Sequence, residues 1–215
     1  MRQHIIVLAL CTITIAGCLS PRRDDSKFFV LSPVGADPAS AGSRQILVGL
    51  GPIKMPAYLD RQEVVTRVAP NRLELSRQDR WAEPLDSDFT RVLAQNLSSD
   101  LGTQRITFYP WYNTTLVDYQ IKVNVYRFES DKDGKVDLTA HWQVLNGTGK
   151  LLIVRDSTYT ETAKPGDTSD SAAAMSRALG RLSRDIASAI EATPANTAGG
   201  VGVKPETNQP SFRSS

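Results

Sequence analysis

Hydrophobic and polar positions change period several times along the chain, and each change marks an element. Residues 46–53 and 63–68 are Val- and Ile-rich runs of strand length. Between them lies K-M-P-A-Y-L-D-R-Q. Pro56 has no amide hydrogen and Pro52 restricts Gly51, so ladder pairing is expected to break there. The pattern predicts two strands joined by a stiff corner. Residues 27–31 (K-F-F-V-L) read as a short first strand. Residues 72–76 alternate and fold back on 63–68 through the turn Ala69-Pro70-Asn71. From 86 to 101 the period becomes helical. Phe89, Val92, Leu93, Leu97 and Leu101 share a face, Asp86 or Ser87 can cap the start, and Gly102 stops the helix.

The second half is mostly strand. Residues 106–109 form a short apolar run ended by Pro110. In 119–129, Tyr119, Ile121, Val123 and Val125 face one way, and the phase switches near 126–128, which predicts a bulge. Asp131-Lys132-Asp133-Gly134 is a turn; it lacks the later ligands of a calcium loop. Val136, Leu138, Ala140, Trp142 and Val144 alternate with polar residues, Asn146-Gly147 signals a hairpin, and 151–162 is the last strand. A second helix is expected over about 170–192, with Met175, Ala178, Leu179, Leu182, Ile186, Ala189 and Ile190 as its apolar stripe. From 193 to 215 the chain is Thr/Pro/Ala/Gly/Asn/Ser-rich with almost no large apolar residue, which predicts a disordered tail. The order of elements, with its short turns, predicts an α+β fold: a mixed, largely antiparallel sheet with two helices packed on one face.

Composition removes several function classes. The chain has 215 residues and a net charge of +2, with no basic stripe for nucleic acid. Its two cysteines, Cys11 and Cys18, both lie near the start, so no disulfide framework or cysteine metal cluster is expected in the rest. His4 and His141 are the only histidines, and no nucleophile-elbow, zinc-protease or phosphate-loop motif occurs. No catalytic or metal-binding residue is assigned, and an enzyme is not expected. The aromatic run 108–112 (F-Y-P-W-Y) reads as packing at a strand end, with a membrane-interface or partner-facing patch as the alternative.

The N-terminus sets the expected location. Arg2 precedes an apolar stretch, 5–15, too short to span a bilayer, and small residues follow. Residues 1–17 therefore read as an export signal. Ile15-Ala16-Gly17-Cys18 resembles a bacterial lipobox, in which Cys18 becomes the lipidated first residue. Residues 18–26 would be the lipidated cysteine and a polar tether, whose last seven residues reach about 25 Å. Several acyl chains on Cys18 anchor stably where one would not. Leu19, not Asp, follows the cysteine, and by resemblance to enterobacterial sorting this implies the outer membrane, inner leaflet.

Several stretches together carry a family resemblance: the lipobox at Cys18, F-F-V-L at 28–31, V-G-L-G-P-I-K-M-P-A-Y-L-D-R-Q-E-V-V at 48–65, L-E-L-S at 73–76, R-W-A-E-P-L at 80–85 and L-A-Q-N-L at 93–97. The chain resembles the ABC-type transport auxiliary lipoproteins, the PqiC-like family, over a domain of residues 27–192. Gln62 stands where such proteins often carry Pro. The resemblance implies a periplasm-facing lipoprotein that works with an MCE-domain tunnel protein and with inner-membrane permease and ATPase components, moving lipid between membranes and supporting envelope integrity. No cofactor is implied beyond lipid on Cys18. Tyr58, Leu59, Arg61 and Trp81 are the candidate partner contacts, and a homo-oligomer would suit a tunnel-forming partner. The alternative is that the domain itself carries phospholipid in a groove between helices and sheet.

Overall fold

In a computed structural model, residues 24–35, 44–111 and 117–193 are described. Cys18, the signal segment, part of the tether and the tail beyond Thr193 lie outside the described residues. The strands are β1 (Lys27–Phe29), β2 (Val48–Lys54), β3 (Glu63–Ala69), β4 (Arg72–Trp81), β5 (Ile106–Phe108), β6 (Tyr119–Asp131), β7 (Lys135–Asn146) and β8 (Leu151–Thr162). The helices are α1 (Leu85–Leu101) and α2 (Thr168–Glu191).

All eight strands join one sheet organised around β6. One side of β6 pairs antiparallel with β7 along its length, and β7 pairs antiparallel with β8. The other side is shared end to end: β2 runs parallel to its first half and β3 meets it, also parallel, at Ser130 and Asp131. β4 returns antiparallel on β3, while β1 and β5 add parallel edges to β4 and β2. The sheet is mixed, its longest pairings are antiparallel, and the α+β expectation holds. β2, the corner and β3 act as one interrupted strand beside β6, and the register of β6 shifts between Val125 and Arg127, where the phase switch predicts a bulge.

Both helices lie on one face. Phe89, Val92, Leu93 and Leu97 of α1, with Leu179, Leu182 and Ile186 of α2, are fully buried against Ile121, Phe128, Leu138 and Trp142 of the sheet. Burying each Leu, Ile or Phe contributes about 1.5–3 kcal/mol before the cost of ordering. Phe89 meets Phe128 edge to face at 5.3 Å. α1 starts one residue earlier than expected. Pro84 takes the capping position and no side chain caps the helix. Asp86 accepts from the Ser87 amide instead. Gly102, at φ 62°, ends the helix as its sequence implies, and Asp167 caps α2 by accepting from the Asp170 amide.

Two further differences are non-local in origin. β4 runs on through the polar residues 77–80 to Trp81, where β1 pairs with its end, Lys27 with Asp79 and Phe29 with Trp81, and Arg80 meets Glu63 of β3. After β1, the chain threads between the helices. Asp88 of α1 accepts from the Leu31 amide at 2.7 Å, Ser176 of α2 from Ser32 at 3.0 Å, and Asn96 of α1 from Val34 at 2.8 Å. These three side chains satisfy backbone donors that no strand reaches.

Candidate functional site

The corner between β2 and β3 lies beside the stretch of β6 between Asn124, where β2 stops pairing, and Ser130, where β3 begins. After Pro56 the chain makes one 3-10 turn, Ala57–Leu59. Leu59 points inward and is 2% exposed. Tyr58 turns the other way, onto the helix-free face, and donates its hydroxyl to Glu129 Oε2 at 2.8 Å. Burial, and then the Glu129 contact, push its phenol up to about 12. Arg61 is exposed at the end of the corner.

Tyr58 belongs to a buried polar network that sequence reasoning missed. Glu129 is 1% exposed. It accepts from Arg67 Nε at 2.7 Å, Arg127 Nε at 3.1 Å and the Phe128 amide at 3.0 Å, besides Tyr58. Asp137, its cross-strand neighbour on β7, accepts from Lys135 Nζ at 2.8 Å and Thr160 Oγ1 at 2.7 Å, and pairs with Arg127 at 3.4 Å. Burial pulls the Asp137 carboxyl up, and the Lys135 and Thr160 hydrogen bonds with the nearby cations more than offset this, leaving it below its ordinary value. Glu129 raises the Arg67 guanidinium. Chemically, these carboxylates are saturated by donors and tie β3, β6, β7 and β8 together. The signal in the sequence is faint: Glu129 follows the phase switch, so its carboxylate falls among positions that alternation had marked apolar.

A second arrangement occupies the other end of the same face. Gly49 and Gly51 leave the β2 backbone bare, and Tyr109 and Trp111 lie over it. A Cβ at Gly49 would sit 3.1 Å from the Trp111 ring, and one at Gly51, which has φ 120°, 2.7 Å from Tyr109 Cβ. The two rings meet edge to face at 5.5 Å. The G-L-G-P and F-Y-P-W segments are thus one packing unit. Tyr109 and Phe108 remain about half exposed, so the unit is also a surface.

Of the four candidate contacts, the structure brings Tyr58 and Arg61 to the surface corner and places Leu59 and Trp81 in the core. Trp81 is 4% exposed, packed under the β4 end while its amide donates to the Gln62 carbonyl at 2.7 Å. Neither Leu59 nor Trp81 presents area to a partner in this fold, because each anchors a corner of the sheet to the core. Cys18 lies outside the described residues. Among these, no group of His, Cys, Asp and Glu is arranged to hold a metal ion, and no helix is long and apolar enough to cross a membrane.

Sequence likeness to known proteins runs along nearly the whole of this domain. The chain belongs to the family of ABC-type transport auxiliary lipoprotein components, which it matches over residues 29–187. It is similar to the intermembrane transport lipoprotein PqiC of Escherichia coli (strain K12), 24% identical over 152 residues that cover 71% of this chain and 78% of that protein. A crystal structure of an uncharacterized protein shares the fold at TM-score 0.64 and 21% identity, covering 77% of this chain and 98% of that one. So does protein XCC0632 from Xanthomonas campestris, at TM-score 0.63 and 16% identity, covering 75% and 93%.

Proposed function

We propose that this chain is the outer-membrane-anchored, periplasm-facing lipoprotein subunit of an ABC-type intermembrane lipid transport system, and that it docks an MCE-domain tunnel protein. The observation that carries the reading is the family match across 29–187, which takes in nearly every element of the fold. The lipobox at Cys18 supports the anchor, and Leu19 supports the outer membrane. The exposed Arg61, held at the end of a corner stiffened by Pro56 and by the Tyr58–Glu129 bond, is the docking contact tested first. A phospholipid groove between helices and sheet is the weaker reading, because Leu93, Leu97, Trp142 and Leu179 fill that interface.

The anchor is tested by labelled palmitate. The wild-type chain is expected to incorporate it and to fractionate with outer membrane, and Cys18→Ala to do neither. Docking is tested by recovering an MCE protein with the chain from native membranes. Failure to recover one with the wild type, or undiminished recovery with Arg61→Ala, would count against the respective claim.

A further inference from the structure

The open sheet face holds two lysines that the ion-pair network does not use. Strand register places Lys54 of β2, Asn124 of β6 and His141 of β7 in one row across the face, with Lys122 and Gln143 in the next. Together with Pro52 they line a depression of about 290 Å³. Arg67, Arg127 and Lys135, at the other end of the face, all pair with carboxylates. Lys54 and Lys122 pair with none among the described residues. The acid in their rows, Asp156 of β8, lies three strand spacings from Lys54, roughly 14 Å. It bonds His141 Nδ1 at 3.0 Å, while Gln143 Nε2 bonds His141 Nε2 at 3.1 Å. With the histidine donating to Asp156, Gln143 donates to it in turn and keeps a second N–H for the depression.

We infer that this depression is a binding site for a phosphate-class oxyanion, as carried by a phospholipid headgroup or by free phosphate. Two ammonium groups supply charge from adjacent strands, and the amides of Asn124 and Gln143 supply neutral donors. An anion seated between the two lysines would pair with both ammonium groups, which meet no carboxylate among the described residues. The volume suits a headgroup or a small ion and is too small for a helix or a strand. Beside Pro52, on the β5 side of the depression, Tyr109 lies over Gly51 and is 54% exposed, a half-wet aromatic surface on which a glycerol backbone can rest. The inference rests on this geometry and not on the transport reading, so loss of MCE docking leaves it standing.

The test is calorimetric titration of the full chain in neutral detergent with dihexanoyl-phosphatidylglycerol and, separately, inorganic phosphate. Saturable binding is expected, weakened at least tenfold by Lys54→Gln combined with Lys122→Gln and less than twofold by Lys150→Gln, an exposed lysine in the β7–β8 turn. Binding of the lipid but not of phosphate identifies a headgroup as occupant, and the reverse identifies the free ion. Binding of neither overturns the inference. So does a double variant that binds like wild type, or a Lys150→Gln effect as large as the double variant's, which would reduce the site to diffuse surface charge.

Discussion

On the part of the open face beside the β3–β4 hairpin, Arg67, Arg127 and Lys135 converge on two buried carboxylates, Glu129 and Asp137. On the part beside β5, Lys54 and Lys122 surround a depression and meet no carboxylate among the described residues. One sheet face therefore treats charge in two ways, and the bulge in β6 divides them. Before the bulge, outward positions are half exposed and water can solvate a lone ammonium. After it, the corner and hairpin close over Glu129, and a buried carboxylate is tolerated only with cations and donors around it. Paired charge here fixes structure, and unpaired charge is left to bind.

The sharpest way to break this distinction is to remove one charge from each part. Glu129→Gln leaves Arg67 and Arg127 facing a neutral amide in a closed site and is expected to cost about 3 kcal/mol, within the range for a broken buried pair and discounted because both arginines reach solvent. Lys122→Gln is expected to shift stability by no more than about 0.5 kcal/mol, as for a surface substitution. Urea unfolding of both variants measures this. Equal destabilisation would erase the division between the two parts.

The second test falls on the β5 side, where packing replaces charge. Gly51→Ala forces a Cβ onto Tyr109 at 2.7 Å and onto a backbone at φ 120°. An expected loss of about 2 kcal/mol follows from such strain. Gly149→Ala, at φ 82° but with open space around it, isolates the backbone part of the effect. If both cost the same, the aromatic cover over β2 contributes nothing.

What the sequence reveals divides along similar lines. Periodicity alone locates both helix stripes, because Phe89, Leu93, Leu97, Leu179 and Leu182 repeat within a few residues of one another and all are buried. The bulge in β6 is legible for the same reason. The end of β4 is not, since residues 77–81 become strand where β1, some fifty positions away, pairs alongside Asp79–Trp81 and Arg80 meets Glu63 of β3. Glu129 is hidden likewise: its three cation and phenol partners come from the corner, β3 and β6, and no local pattern announces that they meet. At the corner, the sequence marks Pro56 to Arg61 as distinctive but cannot say which side chains turn inward. Leu59 does and Arg61 does not, a matter of one 3-10 turn. The glycines of G-L-G-P carry no local meaning until Tyr109 and Trp111 are seen lying on them.

A smaller effect separates the two surface members of the corner. Tyr58→Phe removes the hydroxyl that donates to Glu129 and is expected to lower stability by about 1 kcal/mol, the net worth of a hydrogen bond with a partly protected charged acceptor. Arg61→Ala is expected to leave stability within about 0.5 kcal/mol. Thermal or urea unfolding reads both. A large loss in Arg61→Ala would make that residue structural and remove it as the first docking contact.

The smallest expected effect concerns pH and has a defined sign. The Asp137 carboxyl sits below its ordinary value of 3.8 in the folded chain. Its contribution to stability is therefore fully present above 3.8 and is lost as pH falls through the lower folded value. Asp88 is the opposite case. Burial raises its carboxyl, only partly opposed by the Leu31 amide and the Arg91 charge. Its contribution is present below 3.8 and is lost as pH rises through the folded value. Urea midpoints followed downward from neutral pH should fall less steeply below 3.8 in Asp137→Asn than in wild type. In Asp88→Asn the difference from wild type should appear above 3.8 instead. Parallel curves for Asp137→Asn and wild type below 3.8 would mean that Lys135, Thr160 and Arg127 do not hold that carboxylate in its charged form, and the paired part of the face would then lose its claim to be fixed by charge.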